Sequence, residues 1–255
     1  MKKQNKWLPA IIGIAAILGI WYAVCAAGVF NSYVLPSPVK VWNTFLKMVS
    51  TGEIIRDVAI SFGRVLRGFG IAFMLAFALA ALRIFLPCSE SYFEYIVQFL
   101  RNVPPLSMVP LLILWCGIGE ATKTVIIVLA SFFPMYLSIV KGFTGCDPKL
   151  LEVAQSFSYG RMRTFWRVIL PHAASDILVG MRTSLGYSWR AIIGAEMVAA
   201  STGLGHMILF AQQMSRTDKV IVGIFVIGTV GYATDRILGA IIKQFVGGTA
   251  QNGWD

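Results

Sequence analysis

The side chains able to do chemistry in this sequence fall into two groups. The first is the run CDPKLLEVAQSFSYGRMRTFWRVILPH, Cys146 to His172, which gathers Asp147, Lys149, Glu152, Arg161, Arg163 and Arg167 in a chain that is otherwise strongly apolar. The second is a trio inside a later apolar stretch, Arg182, Arg190 and Glu196, followed by Gly203 and Gly205 of STGLG. Neither group has the spacing of a catalytic or metal centre. Cys25, Cys88, Cys116 and Cys146 form no C-x-x-C pair and stand apart from His172 and His206, so no metal site or disulfide is expected. The motifs H-E-x-x-H and G-x-S-x-G are absent, as is the phosphate-cradling G-x-x-x-x-G-K-[ST]; no Gly is followed by Lys anywhere. An intramembrane enzyme is therefore disfavoured. The chemistry that remains is charge placement: docking a partner, pairing helices, or guiding a charged solute.

The bulk properties say what must position these groups. Of 255 residues 57% are apolar and only 13% charged, and mean hydropathy is +0.72. Soluble domains carry about 25% charged residues, so too little polar surface is left to cover a globule. The chain reads as an all-α integral membrane protein. Its net charge of +10 then points to basic cytoplasmic loops against anionic lipid rather than to nucleic acid.

A helix crosses a bilayer in about 20 apolar residues, and the sequence predicts six such spans: 8–30, 58–85, 99–118, 124–140, 173–199 and 219–242. The first is too long an apolar run for a signal peptide and is expected to be retained. Residues 31–57 form an extracytoplasmic segment. In it Ser37 and Pro38 open a short amphipathic helix running to Gly52, with Val41, Trp42, Phe45, Leu46 and Val49 at helical spacing. Pro104, Pro105 and Pro110 must make the third span irregular or kinked. Residues 58–245 form a five-helix core, and 246–255 a tail. The Lys/Arg bias places Lys2, Lys3, Lys6 and both termini in the cytoplasm, together with 146–171. A channel or secondary transporter is the other transport class, but inverted repeats and mid-membrane coupling acids are not seen.

Within 146–171, Asp147 and Pro148 begin one helix, with Leu150, Leu151, Val153, Ala154 and Phe157 on an apolar face. SYG breaks it, Gly160 supplying the turn. A second helix carries Met162, Phe165, Trp166, Ile169 and Leu170, and Pro171 closes it. This predicts a helix-turn-helix knob with an apolar seam and a charged outer surface. Physics alone allows either a solvated loop resting on headgroups or a docking surface.

Residue order favours docking. EVAQSFSYGRMRTFWRVILP resembles the EAA loop of the permease subunits of ABC importers, E-A-A, three residues, G, nine residues, I-x-L-P. Glu152, Ala154, Leu170 and Pro171 fall in register, Val153 and Val168 are mild replacements, and Ser158 stands at the family's glycine, with Gly160 two positions later. The blocks YVLPSPVKVWNTF, SFGRVLRGFGIA, LRNVPPLSMVPLLILWCGIGEATKTVIIVLASFFP and GMRTSLGYSWRAIIGAEMVAASTGLGHMI are similar to the type I branch that handles nitrate, sulfonates and taurine. That branch also includes importers of thiamine-precursor pyrimidines.

The resemblance implies a multi-pass permease of a prokaryotic cell membrane, working as a homodimer. ATPase subunits would dock on Glu152, Ala154, Ser158, Gly160, Arg161, Leu170 and Pro171 and hold ATP and Mg, this chain binding no cofactor itself. A solute-binding protein would deliver the solute.

The in-span residues admit two readings each. Arg182 and Arg190 pair between helices, snorkel, or attract an anion. Glu196 has only Ile192, Ile193, Ala199 and Ala200 at i±3 and i±4. It pairs across the bundle or lines an outer gate with Gly203 and Gly205. Pairing is expected, since a bare carboxylate would repel an anionic solute.

Overall fold

The computed structural model describes residues 7–86 and 90–245. Lys2, Lys3, Lys6, Cys88 and the 246–255 tail lie outside them. All regular elements among the described residues are helical: α1 (Trp7–Ala26), α2 (Pro38–Ser50), α3 (Glu53–Phe85), α4 (Glu90–Leu100), α5 (Val109–Cys116), α6 (Glu120–Thr144), α7 (Pro148–Ser156), α8 (Arg161–Thr164), α9 (Leu170–Ala199), α10 (Leu204–Gln213) and α11 (Thr217–Phe245). A 3-10 turn, Pro105–Met108, precedes α5, and a π turn, Phe165–Ile169, joins α8 to α9.

Three helices, α3, α6 and α9, pack along one another as the centre of the bundle. Small residues let them approach. A Cβ at Gly68 would meet the Ile127 side chain at 2.6 Å, and one at Gly142 would meet Ala173 Cβ at 2.9 Å. Ala72, Ala76 and Ala80 are buried on the same face of α3. Close packing of this kind replaces the hydrophobic drive that lipid-embedded helices lack. Around this core, Trp189 of α9 donates its indole N–H to the Ile227 carbonyl of α11 at 3.1 Å. Thr44 of α2 donates to Asp218 at the start of α11 at 2.7 Å. The outward faces keep apolar side chains exposed, among them Ile17, Leu75, Leu114 and Ile224, as suits helices solvated by lipid.

The six expected spans are only partly matched. By length and apolarity α3, α6 and α11 can cross a membrane, and the number rises to five if two bent helix pairs each count as one span. One pair, α4 with the 3-10 turn and α5, bends by 83° at residues 101–104; α9 and α10 bend by 47°. The first break is where Pro104 and Pro105 withhold backbone donors, so the expected irregularity is there. The helix before it, α4, was not foreseen. At the N-terminus α1 ends at Ala26 rather than Phe30, since the chain turns at Gly28 with φ +67°.

Pro171 does not close the knob's second helix. Leu170 N–H instead reaches back to the Phe165 carbonyl, and this widened turn accommodates the proline ring that would crowd the i−4 carbonyl of a regular helix. The helix therefore continues from Arg161 to Ala199.

Candidate functional site

Two chemically distinct places emerge at opposite ends of α9. At its C-terminal end Glu196, wholly buried, has its partner on another helix. Arg64 of α3 donates Nη1–H to Glu196 Oε1 at 2.7 Å, and Ser61, one turn earlier, donates to both carboxylate oxygens at 2.8 and 2.9 Å. The Gly205 N–H adds 3.0 Å to Oε2, while Leu204 N–H donates to Ser61 Oγ at 3.0 Å. Glu196 and Ser61 thus satisfy the free N–H groups that open α10, a need of any helix start.

Arg64 spends its other donors on Glu120 at the start of α6 (Nη2 to Oε1, 2.7 Å), on the Thr202 carbonyl (2.7 Å) and on Thr202 Oγ1 (3.1 Å). Buried Lys123 donates to Glu120 at 2.6 Å. The result is a clasp joining α3, α6, α9 and the STGLG turn. Opposite charges at this depth offset each other's desolvation only because nearly every donor and acceptor is used.

The two glycines belong to the clasp by space rather than by chemistry. Gly203 has φ +106°, and a Cβ there would fall within the Glu196 carboxylate; at Gly205 it would strike Glu196 Cβ at 2.7 Å and the Ile193 carbonyl. Sequence reasoning named Glu196, Gly203 and Gly205 but missed Ser61, Arg64, Glu120, Lys123 and Thr202 as their company. The available signal was Arg64, a cation within an apolar span.

At the other end lies the knob. Asp147 caps α7, accepting the Lys149 N–H at 2.9 Å, and burial together with the Asp147 charge pushes the neighbouring Cys146 thiol up. Ala154 and Phe165 are buried, Phe165 against Phe85 and Phe143. Contrary to the expected apolar seam and charged exterior, Val153, Phe157, Met162 and Trp166 all point outward, Phe157 being 69% exposed. Two short helices joined by a tight turn bury too little to hide both faces.

Glu152 and Arg161 are exposed beside these apolar groups; Pro171 is exposed and Leu170 half-buried. Among the described residues no partner holds the Glu152 side chain. The turn also differs from expectation. Gly160 is extended (φ −68°, ψ 161°) with open space at its Cβ position, and the left-handed residue is Ser158, φ +54°.

The remaining candidates separate. Arg182 makes a bidentate pair with Asp235 of α11, at 2.7 and 2.6 Å. Arg190 stands over the Tyr187 ring at 5.9 Å and lines a cleft. No cluster of three or more potential metal ligands occurs among the described residues.

The family described as binding-protein-dependent transport system inner membrane component matches residues 68–246. A putative aliphatic sulfonates transport permease protein of Bacillus subtilis is 37% identical, covering 96% of this chain and 89% of its own length. The taurine transport system permease protein of Escherichia coli is 31% identical over 91% of this chain and 86% of its own length. In fold, a crystal structure of an amino acid ABC transporter superposes with a TM-score of 0.63 at 17% identity, over 79% of this chain and 96% of the other.

Proposed function

The chain belongs to the family of binding-protein-dependent transport system inner membrane components, and from that premise we propose that it passes small oxyanions, sulfonates foremost, into the cell. It is a multi-pass membrane permease subunit of an ABC importer and not an enzyme, ATP hydrolysis residing in a separate subunit. ATPase subunits and a solute-binding protein are its partners. A second copy of the chain completes the pathway, the termini and the knob face the cytoplasm, and the knob receives the ATPase. ATP and Mg are held by that ATPase and not by this chain.

The observation that carries the reading is the knob, where Glu152 and Arg161 stand among exposed Val153, Phe157, Met162 and Trp166. An apolar patch with charged neighbours is surface awaiting a partner. The sulfonate class is supported by the two relatives named above.

Proteoliposomes containing the permease, its ATPase and its solute-binding protein test both parts. ATP-dependent uptake of labelled methanesulfonate or taurine is expected. Uptake of a pyrimidine in their place would replace the solute class, and uptake without the ATPase would overturn the importer reading.

A further inference from the structure

We propose that the cleft at the α4–α5 break is an intramembrane site for the oxyanion head of the transported solute, with Arg101 and Arg190 as its ligands. The inference rests on the importer reading and gives that pathway a place and a chemistry.

The cleft has a volume of about 540 Å3 and is bounded by residues 101–106, by α6 around Pro134 and by α9 around Arg190. That is the size of an ordinary small-ligand site, ~300–1,000 Å3. Among the described residues its only charged lining side chains are Arg101 and Arg190, and no carboxylate lines it. Asn102 and Tyr187 are the other polar side chains; Asn102 is already engaged, donating to the Gln98 carbonyl at 2.6 Å. Leu106 packs into the space that a Cβ at Gly194 would fill, which holds the broken segment against α9.

Depth makes the two cations informative. At 1.5 Å per residue, the α9 part of the lining lies ~12–18 Å below Ala199, and the α6 part ~14–26 Å below Glu120. In a hydrocarbon core ~30 Å thick the α9 part, which carries Arg190, is at the middle, and the α6 part runs from the middle toward the far face. A charged side chain there is costly unless it is paired or faces water. Three other cations of the bundle meet the cost by pairing: Arg64 with Glu196 and Glu120, Lys123 with Glu120, Arg182 with Asp235. Among the described residues Arg101 and Arg190 have no carboxylate partner, and both are exposed to the cleft.

A guanidinium in such a place is a receptor. Its planar fork offers parallel N–H donors to two oxygens of one group, which a sulfonate, nitrate or bicarbonate supplies. The apolar walls, Leu129, Phe133 and Leu137, suit the carbon end of an alkanesulfonate.

The test uses the complete transporter, reconstituted with its ATPase and solute-binding protein, and methanesulfonate as probe. Arg101→Gln and Arg190→Gln are expected to lose about ten-fold or more in uptake, and in direct methanesulfonate binding by the detergent-solubilised complex without the binding protein, while the complex still assembles with its ATPase in wild-type yield. Should either Gln variant fail to assemble, Arg190→Lys decides. It keeps the charge without the fork and is expected to weaken binding by about three- to ten-fold. Wild-type uptake and binding in the variants, beside a wild-type complex that imports methanesulfonate, would overturn the cleft and leave the importer reading intact. A wild-type complex that imports only a neutral solute would remove the reading on which the cleft rests.

Discussion

Arg64 and Glu196, 132 positions apart in the chain, meet with Nη1 and Oε1 2.7 Å apart, and the carboxylate is wholly buried. Because the same carboxylate accepts from Gly205 N–H, one side chain fixes both the pairing of α3 with α9 and the start of α10. Loss of its charge is therefore felt in two places at once.

The first prediction follows from that double role. Glu196→Gln offers one oxygen where the carboxylate offers two, and leaves Arg64 only Glu120 as an ionic partner. Its stability in detergent is expected to fall by about 1–3 kcal/mol. Glu196→Ala is expected to lose about 3–5 kcal/mol, as for a buried pair with one partner removed. Thermal unfolding of the purified protein measures both. Wild-type melting with altered transport would instead put Glu196 on the solute's route.

Gly203→Ala should rival the loss of the carboxylate itself. The new methyl needs the space of Glu196 at a backbone angle that favours glycine. A penalty of at least about 1–3 kcal/mol is expected, with the protein poorly inserted or proteolysed. Gly203→Ala combined with Glu196→Ala should cost less than the two separate losses added together, and unfolding of the double variant reads that coupling.

In the knob's turn the position that favours glycine is Ser158, which stands at the family's glycine, and not Gly160. Ser158→Gly removes a left-handed strain of about 1 kcal/mol and should raise the knob's resistance to limited proteolysis. Gly160→Ala, at an extended position with open space, is expected to change stability by less than about 0.5 kcal/mol. The opposite ranking would show that Gly160 sets the turn.

Changes on the outward face of the knob should separate folding from coupling. Glu152→Arg, Phe157→Ser and Trp166→Ser alter exposed positions, so melting temperature should hold within a few degrees. Co-purification of the ATPase is expected to fall at least about ten-fold for Glu152→Arg, as for loss of a charge-assisted contact to the ATPase. Normal co-purification and uptake in all three variants would remove the knob from the interface.

Orientation is open to cysteine labelling with an impermeant maleimide. Ser50→Cys, exposed at the C-terminal end of α2, should react in intact cells, and Lys149→Cys only after permeabilisation. Cys146 is a poor reporter from either side. It is buried, and its raised thiol pKa means that it needs a higher pH than an exposed cysteine to reach the same thiolate fraction. The reverse labelling pattern would invert the topology.

How much of this was legible in the sequence depended on range. Caps written in adjacent residues, Ser37–Pro38 and Asp147–Pro148, were readable and are present. The proline-rich break was readable because Pro104 and Pro105 act on their own backbone. Glu196 announced its need for a partner, but not that Arg64 would meet it, since no local pattern links positions 132 apart. In the same way Arg182 and Arg190 look alike in sequence and differ only because Asp235 of α11 reaches one of them. The π turn was hidden for another reason: proline ordinarily ends a helix, and only the five-residue hydrogen bond to Phe165 tells that this one does not.

That turn has a mechanical consequence. With no stop at Pro171, the segment from Arg161 to Ala199 is one rod, ~57 Å long at 1.5 Å per residue, with the knob at one tip and the Glu196 clasp at the other. Pivoted at one tip, such a rod turns a tilt of about 5° into a displacement of ~5 Å at the other. That is nearly twice the reach of the hydrogen bonds that close the clasp, so an arc too small to unfold anything at one membrane face is large enough to unfasten a lock at the opposite one.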